Sequence, residues 1–155
     1  MSTDEVRVRG ALLTDAAEVV RLLSQLGHAQ PAGDDSARLA AFLDNGDTVL
    51  VAERTSLQSA PLLGVVTLHI APVMHRAGPI GRLSAVVVDE SARGAGVGRA
   101  LVAAAEAYFA ARGCAMIEVT SNKARTDAHA FYERLGYAAT SVRFAKVTPS
   151  LAAPP

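Results

Sequence analysis

The stretch "VVVDESARGAGVGRALV", residues 86–102, sets Gly94, Gly96 and Gly98 at alternate positions between an apolar run and an amphipathic helix. Inside a helix each glycine costs about 1 kcal/mol relative to alanine. The backbone there must do something that side chains would obstruct. A strand-to-helix turn with positive φ needs one or two glycines. A dinucleotide fingerprint fails, because Arg99 stands at its third glycine and Glu90, Ser91, Ala92 and Arg93 separate the strand from the loop. A phosphate-binding P-loop fails too, because Arg99–Ala100 replaces Lys followed by Ser/Thr. Besides the turn, one reading is left: unpaired N–H groups at a helix N-terminus, at the positive end of its dipole, flanked by Arg93 and Arg99. Such a loop suits a pyrophosphate.

Periodicity orders the rest of the chain. "VRVRGAL" (6–12) alternates as a strand. "TDAAEVVRLLSQLG" is a helix with Asp15 and Glu18 at capping-box spacing, Val19, Leu22, Leu23 and Leu26 on one face, and Gly27 at its end. "SARLAAFLDNG" is a second helix. "TVLVAER" and "LLGVVTLHI" read as antiparallel strands, and "RLSAVVVDE" as a strand covered on both faces. The glycine loop opens a helix whose Val97, Leu101, Ala104 and Tyr108 share a face. "AMIEVTS" is a strand, "TDAHAFYERLG" a helix stopped by Gly136, and "AATSVRFAKV" a final strand. His129 and Glu133, one turn apart, read as a surface pair. This order predicts an α/β layer fold with a mixed sheet in one domain over 5–148, followed by a frayed tail at 149–155.

Composition narrows the partners. The 155 residues carry 15 basic and 15 acidic groups, so the overall charge favours neither nucleic acid nor an anionic membrane. Thirteen of the fifteen bases are arginine, the better phosphate fork. The single Cys114 excludes an internal disulfide and a cysteine-rich zinc site, and its apolar run "CAMIEV" suits a buried thiol. The first ten residues lack the apolar core of a signal peptide, and no run approaches a membrane span, so the expectation is a cytoplasmic protein with no metal.

"ARGAGVGRALV" resembles the R-G-x-G-x-G signature of the GNAT superfamily of acyl-CoA-dependent N-acetyltransferases. "DAHAFYERLGYAAT" is similar to that family's second signature, an Ala-x-x-Phe-Tyr helix ending in Gly plus an aromatic. The resemblance implies the GNAT fold, a mostly antiparallel twisted sheet with helices on both faces, and acetyl-CoA as acyl donor. Arg93, Gly94, Ala95, Gly96, Val97, Gly98 and Arg99 then hold the pyrophosphate, while Val86, Val87 and Val88 pair with the pantetheine arm and supply an N–H to the thioester oxygen. Asn122 either bonds the pantetheine amides or shapes the turn before the next helix.

The implied reaction is direct attack of an amine on the thioester through a tetrahedral intermediate. An amine with pKa near 10.4 is neutral about once in 2,500 molecules at pH 7, a cost of about 4.6 kcal/mol, so a proton acceptor is valuable. The departing thiolate needs a proton, and Tyr132 matches the tyrosine that supplies it in many relatives. Spacing alone reads Tyr132 equally as a core residue sharing a face with Ala128 and Leu135. Many relatives carry a strand glutamate as base; here Ala85 or Ser84 stands at that place. His69 and His75 are the nearest alternatives along the chain, His69 reading otherwise as a hydrogen-bonded strand residue and His75 as a solvated loop residue.

The C-terminal half looks like aminoalkylphosphonate N-acetyltransferases, through "SNKARTDAHAFYERLGYAATSVRFAKV" and the echo in "TLHIAPVMHRAGPIG". For such an acceptor His75, Arg76 and Arg82 supply cationic contacts. For a cationic amine, Asp34 and Asp35 attract, although capping the second helix is their simpler role. The leading expectation is an N-acetyltransferase acting on a primary amine of a small molecule. The alternatives are a non-catalytic acyl-CoA-binding regulator and a protein or peptide N-acetyltransferase. Open sheet edges allow a homodimer.

Overall fold

A computed structural model describes residues 5–56 and 59–149, which fall into two compact units, one running through Val119 and the other from Thr120. The first is a five-stranded sheet with helices on both faces. Its strands are β1 (Val6–Gly10), β2 (Thr48–Arg54), β3 (Gly64–Ala71), β4 (Ile80–Val88) and β5 (Met116–Val119), and they lie in chain order. The first three pairings are antiparallel and β4 pairs β5 in parallel, the mixed sheet that the element order predicts.

Helix α1 (Ala16–Ser24) follows a 3-10 turn at Leu13–Asp15, and α2 is Asp35–Asp44. Their apolar faces close over one side of the sheet, where Val19, Leu22 and Leu39 join Val49, Val51, Val65 and Val87. Helix α3 (Val97–Ala111) covers the other side, and two glycines fix how closely it lies. A Cβ on Gly64 would sit 2.9 Å from Leu101 Cδ1 and 2.7 Å from the Val87 carbonyl; one on Gly81 would sit 2.4 Å from the Phe109 ring. The absent side chains let helix and sheet meet.

Several expectations need correcting. Asp15 and Glu18 form no capping box: Asp15 accepts from the Leu12 N–H at 2.7 Å and pairs with Arg9, while Glu18 holds Arg21 and the Leu62 N–H. Arginines claim both carboxylates, and Asp15 serves the N-cap of the preceding 3-10 turn instead of the start of α1. The buried face of α3 runs through Val97, Leu101, Val102, Ala105 and Phe109, with Ala104 and Tyr108 only half-buried. Tyr108 turns outward to meet the Thr48 hydroxyl at 2.7 Å and the Arg112 guanidinium. Strand β4 is not covered throughout, because Arg82 and Ser84 are exposed between buried Gly81, Leu83 and Val87. Cys114 is half-buried and free.

The second unit contains α4 (Thr126–Arg134), ended by Gly136 at φ +92°. The final strand is absent: residues 138–148 join no ladder among the described residues, and Val142, Phe144 and Val147 are 62, 93 and 76% exposed. Alternation in a sequence marks strand propensity, but a neighbour's backbone must complete the strand. His129 does not pair with Glu133; its Nε2 meets the Asn122 carbonyl at 2.9 Å. The frayed tail falls at residues 150–155, outside the described residues, apart from Pro149.

Candidate active site

The glycine loop is exposed from Arg93 to Gly96. Gly94 and Gly96 take φ +80° and +81°, and a Cβ at either would enter open space, so conformation rather than crowding demands glycine there. Gly98 sits in the first turn of α3 without positive φ. Gly96 caps α3 with no side-chain hydrogen bond, and Ala100 N–H is the first to bond inside the helix, to the Gly96 carbonyl at 3.0 Å. The preceding amides carry the positive end of the helix dipole. Neither Arg93 nor Arg99 has an ion-pair partner among the described residues. Open amides, no cap and two free guanidinium groups make a donor set that fits a pyrophosphate.

Asp89 anchors the entry to this loop. Its carboxylate accepts from the Ser91 N–H at 2.9 Å and hydroxyl at 2.6 Å and pairs with Arg21 of α1. These bonds, the Ser91 hydroxyl first, hold its acid well below the usual carboxylate range.

Beside the loop, the last part of one edge of β4 is unpaired among the described residues. Its ladder with β5 ends at Leu83 and Val119. On the other side Asp89 N–H bonds the Leu63 carbonyl and Val87 faces Val65, so by antiparallel alternation the main-chain groups of Val86 and Val88 point away from β3. Sequence grouped Val86, Val87 and Val88 together; the ladder separates them, and only Val86 and Val88 turn their main-chain groups away from β3.

A cavity of about 550 Å³ opens among α1, α2, β2 and β3, walled by Val19, Leu39 and Phe42 with Asp35 and Arg38 at its polar side. Asp35 is paired with Arg38, and Asp34 caps α2 by accepting from the Ser36 and Ala37 amides, the capping role expected of it. Asp47 and Thr67 also line the cavity and lead into a hydrogen-bonded cluster. Asp47 Oδ1 lies 2.8 Å from His69 Nδ1, His69 Nε2 lies 2.6 Å from Ser84 Oγ, and Ser84 Oγ lies 2.7 Å from Thr67 Oγ1. Asn45 donates to Asp47 at 3.0 Å. The Asn45 bond first, then His69, lowers the Asp47 acid and keeps it ionised.

Sequence reasoning named His69 and Ser84 separately and missed Asp47, which lies 22 positions from His69 and shares no motif with it. His75 is exposed on the β3–β4 loop, and Arg82 is tied to Glu118 at 2.7 Å rather than free for an anion.

In the second unit, Tyr132 is half-buried between Phe131 and Tyr137, with ring centroids at 5.2 and 6.0 Å. Burial pushes its phenol up, against an opposing pull from Arg125, so it holds its proton at neutral pH. The Asn122 side chain accepts from the Ala124 N–H at 2.9 Å and its carbonyl from Arg125 N–H at 3.0 Å, which favours the turn-shaping reading of this residue.

These features define an acyltransferase architecture, and comparison with known proteins supplies the family. The sequence profile of the acetyltransferase (GNAT) family matches residues 17–137. The chain therefore belongs to the GNAT acetyltransferases, which generally use acetyl-CoA. It is 36% identical over 93 residues to an aminoalkylphosphonate N-acetyltransferase of Salmonella typhimurium, a match covering 60% of each chain, and so spans less than two thirds of that relative. It is 28% identical over 142 residues to glucosamine 6-phosphate N-acetyltransferase 1 of Oryza sativa subsp. japonica, covering 88% of this chain and 84% of that one. An acetyltransferase structure from Trypanosoma brucei superposes with TM-score 0.79 at 26% identity, covering 93% of this chain and all of the other. No helix among the described residues is long and apolar enough to cross a membrane.

Proposed function

We propose that this acetyltransferase moves the acetyl group of acetyl-CoA to a primary amine of a small molecule by direct attack on the thioester, with residues 5–148 acting as one catalytic domain. The observation that carries the reading is the uncapped start of α3, where Gly94 and Gly96 adopt left-handed φ and Arg93 and Arg99 stand unpaired. The loop amides and both arginines bind the diphosphate, and Val86 and Val88 receive the amide-bearing arm. Bound acetyl-CoA supplies the activated acyl group. A β4 N–H stabilises the charge that develops on the carbonyl oxygen. Tyr132, protonated at neutral pH, gives its proton to the departing sulfur; its match to the Phe-Tyr signature supports this role.

The acceptor enters the cavity beside Asp47 and Thr67. The names of two relatives specify amines bearing a phosphonate or a phosphate, so such compounds head the acceptor panel. The test is thiol release from acetyl-CoA across small amines, peptides and phosphorylated amino sugars. Tight coenzyme binding with no turnover on any of them would instead support a non-catalytic acyl-CoA-binding protein.

A second copy of the chain is the proposed protein partner. Strand β5 is one of the sheet's two outer strands, and the 138–148 segment, with Val142, Phe144 and Val147 exposed, lacks a ladder among the described residues.

A further inference from the structure

We propose that Ser84, His69 and Asp47 form the proton-accepting relay of this acetyltransferase, with the Ser84 hydroxyl meeting the acceptor's ammonium. The proposal rests on the acetyl-transfer reading and identifies the base that reading leaves open.

The first support is the ladder. Thr67 pairs with Ala85 but Leu68 pairs with Leu83, so Ser84 is the extra residue of a β-bulge. A bulge re-aims one side chain and spoils local pairing. Leu83 and Gly81 remain buried on the α3 side, while Ser84 is turned to the face that carries Thr67 and His69. The Ser84 residue is exposed, so its hydroxyl is within reach of a substrate.

Hydrogen-bond accounting then fixes direction. Ionised Asp47 only accepts, so His69 Nδ1–H donates to it, leaving Nε2 to accept in the neutral ring. Ser84 O–H donates to Nε2 at 2.6 Å, far shorter than its 3.4 Å alternative to the Thr67 carbonyl. Thr67 Oγ1–H donates to Ser84 Oγ at 2.7 Å. One lone pair of Ser84 is left, and it can accept only from a new donor.

The surroundings suit an ammonium. Asp47, Thr67 and Phe42 line the cavity, and the Phe42 ring meets the His69 ring edge-on at 5.3 Å. Among the described residues, the charged groups facing His69 are Asp47, hydrogen-bonded to it, and Arg82, its partner across the ladder, which Glu118 neutralises; from α2 the Phe42 ring packs against it. A cation formed on His69 is thus next to one uncompensated carboxylate.

The proton balance closes within the chain. The ammonium gives one N–H proton to Ser84 Oγ as the Ser84 proton moves to His69 Nε2, and the amine is left with a free lone pair. His69 becomes imidazolium, keeping Nδ1–H on Asp47, and returns its proton to water through its exposed edge, 31% of the side chain. Ser84 is the catalytic residue; His69 stores the proton and Asp47 positions the ring.

The test compares wild type, His69→Gln, Ser84→Ala and Asp47→Asn by steady-state kinetics over pH, coenzyme affinity, thermal unfolding and histidine ¹⁵N NMR. We expect His69→Gln to lower kcat about 100-fold or more, with coenzyme affinity and unfolding midpoint nearly unchanged. The double variant Ser84→Ala/His69→Gln should be no worse than His69→Gln, because the two act as one unit. Asp47→Asn should move the acid limb of kcat/KM to lower pH, since loss of the carboxylate disfavours imidazolium. Wild-type kcat in His69→Gln at every pH would overturn the relay. So would acetylation of Ser84 by acetyl-CoA without an amine, seen by intact mass, because the serine would then be a nucleophile. Should wild type turn over no amine, the acetyl-transfer reading fails, and the ¹⁵N spectrum still decides the relay: a resting Nε2–H tautomer rejects it.

Discussion

Ser84 Oγ and His69 Nε2 lie 2.6 Å apart across the one slip in the β3–β4 register. A regular ladder alternates faces with period two, and an extra residue changes which side chains share a face. The slip therefore brings a serine on β4 to a histidine on β3, and Asp47 just before β2 completes the row.

The glycine loop gives the most direct check of coenzyme binding. Gly94→Ala or Gly96→Ala puts a Cβ on backbone at φ +80° or +81°, where an L-residue costs roughly 1–2 kcal/mol. Calorimetric titration with coenzyme A should show at least a tenfold loss of affinity, and urea unfolding a loss of stability of that order. Full affinity in both variants would remove the loop from the binding site.

Tyr132→Phe deletes the proposed donor to the departing thiolate and leaves the ring in place between Phe131 and Tyr137. Turnover should fall about 100-fold with coenzyme affinity little changed. Unchanged turnover would take Tyr132 out of the mechanism.

Gly81→Ala forces a methyl to within 2.4 Å of the Phe109 ring. Overpacking of this kind costs about 1–3 kcal/mol, and a second change, Phe109→Leu, should recover part of it in denaturant unfolding. Gly64→Ala should resist rescue by any side-chain change, because its nearest obstacle is the Val87 carbonyl at 2.7 Å.

Asp89 links stability to pH. Its folded-state acid is depressed by Ser91 and Arg21, so the contribution is present above the unfolded pKa near 3.9 and fades as pH falls through the folded value. Asp89→Asn should therefore destabilise the protein at neutral pH and make thermal unfolding less steeply dependent on pH below about 4. Arg21 is 37% exposed, so solvent screening limits its share to about 1 kcal/mol or less. An unaltered acid-side profile would contradict this role.

The exposed segment after α4 tests self-association. Light scattering on a sizing column should report a dimer, and Phe144→Asp should shift it to monomer without loss of secondary structure. The reason is that Phe144 is 93% exposed on a stretch with strand-like alternation. A monomer at all concentrations would exclude the second copy as partner.

Local chemistry made much of this protein readable in advance. Strands β1 to β5, helices α1 to α4 and the left-handed glycine loop ahead of α3 follow from periodicity and from glycines placed where the chain needs positive φ. Those signals act over a few residues, so a sequence displays them openly. The capping box on Asp15 and Glu18, the outward turn of Tyr108 and the missing final strand depended instead on partners elsewhere: Arg9, Arg21 and Thr48 for the first two, and a neighbouring backbone for the third. The site divides in the same way. Gly94 and Gly96 announce themselves, whereas Asp47, His69 and Ser84 come from three separate segments and meet only because the sheet pairs them and the bulge turns Ser84. Short-range geometry is written in neighbouring residues; a hydrogen-bonded row across strands exists only once tertiary pairing has set its register.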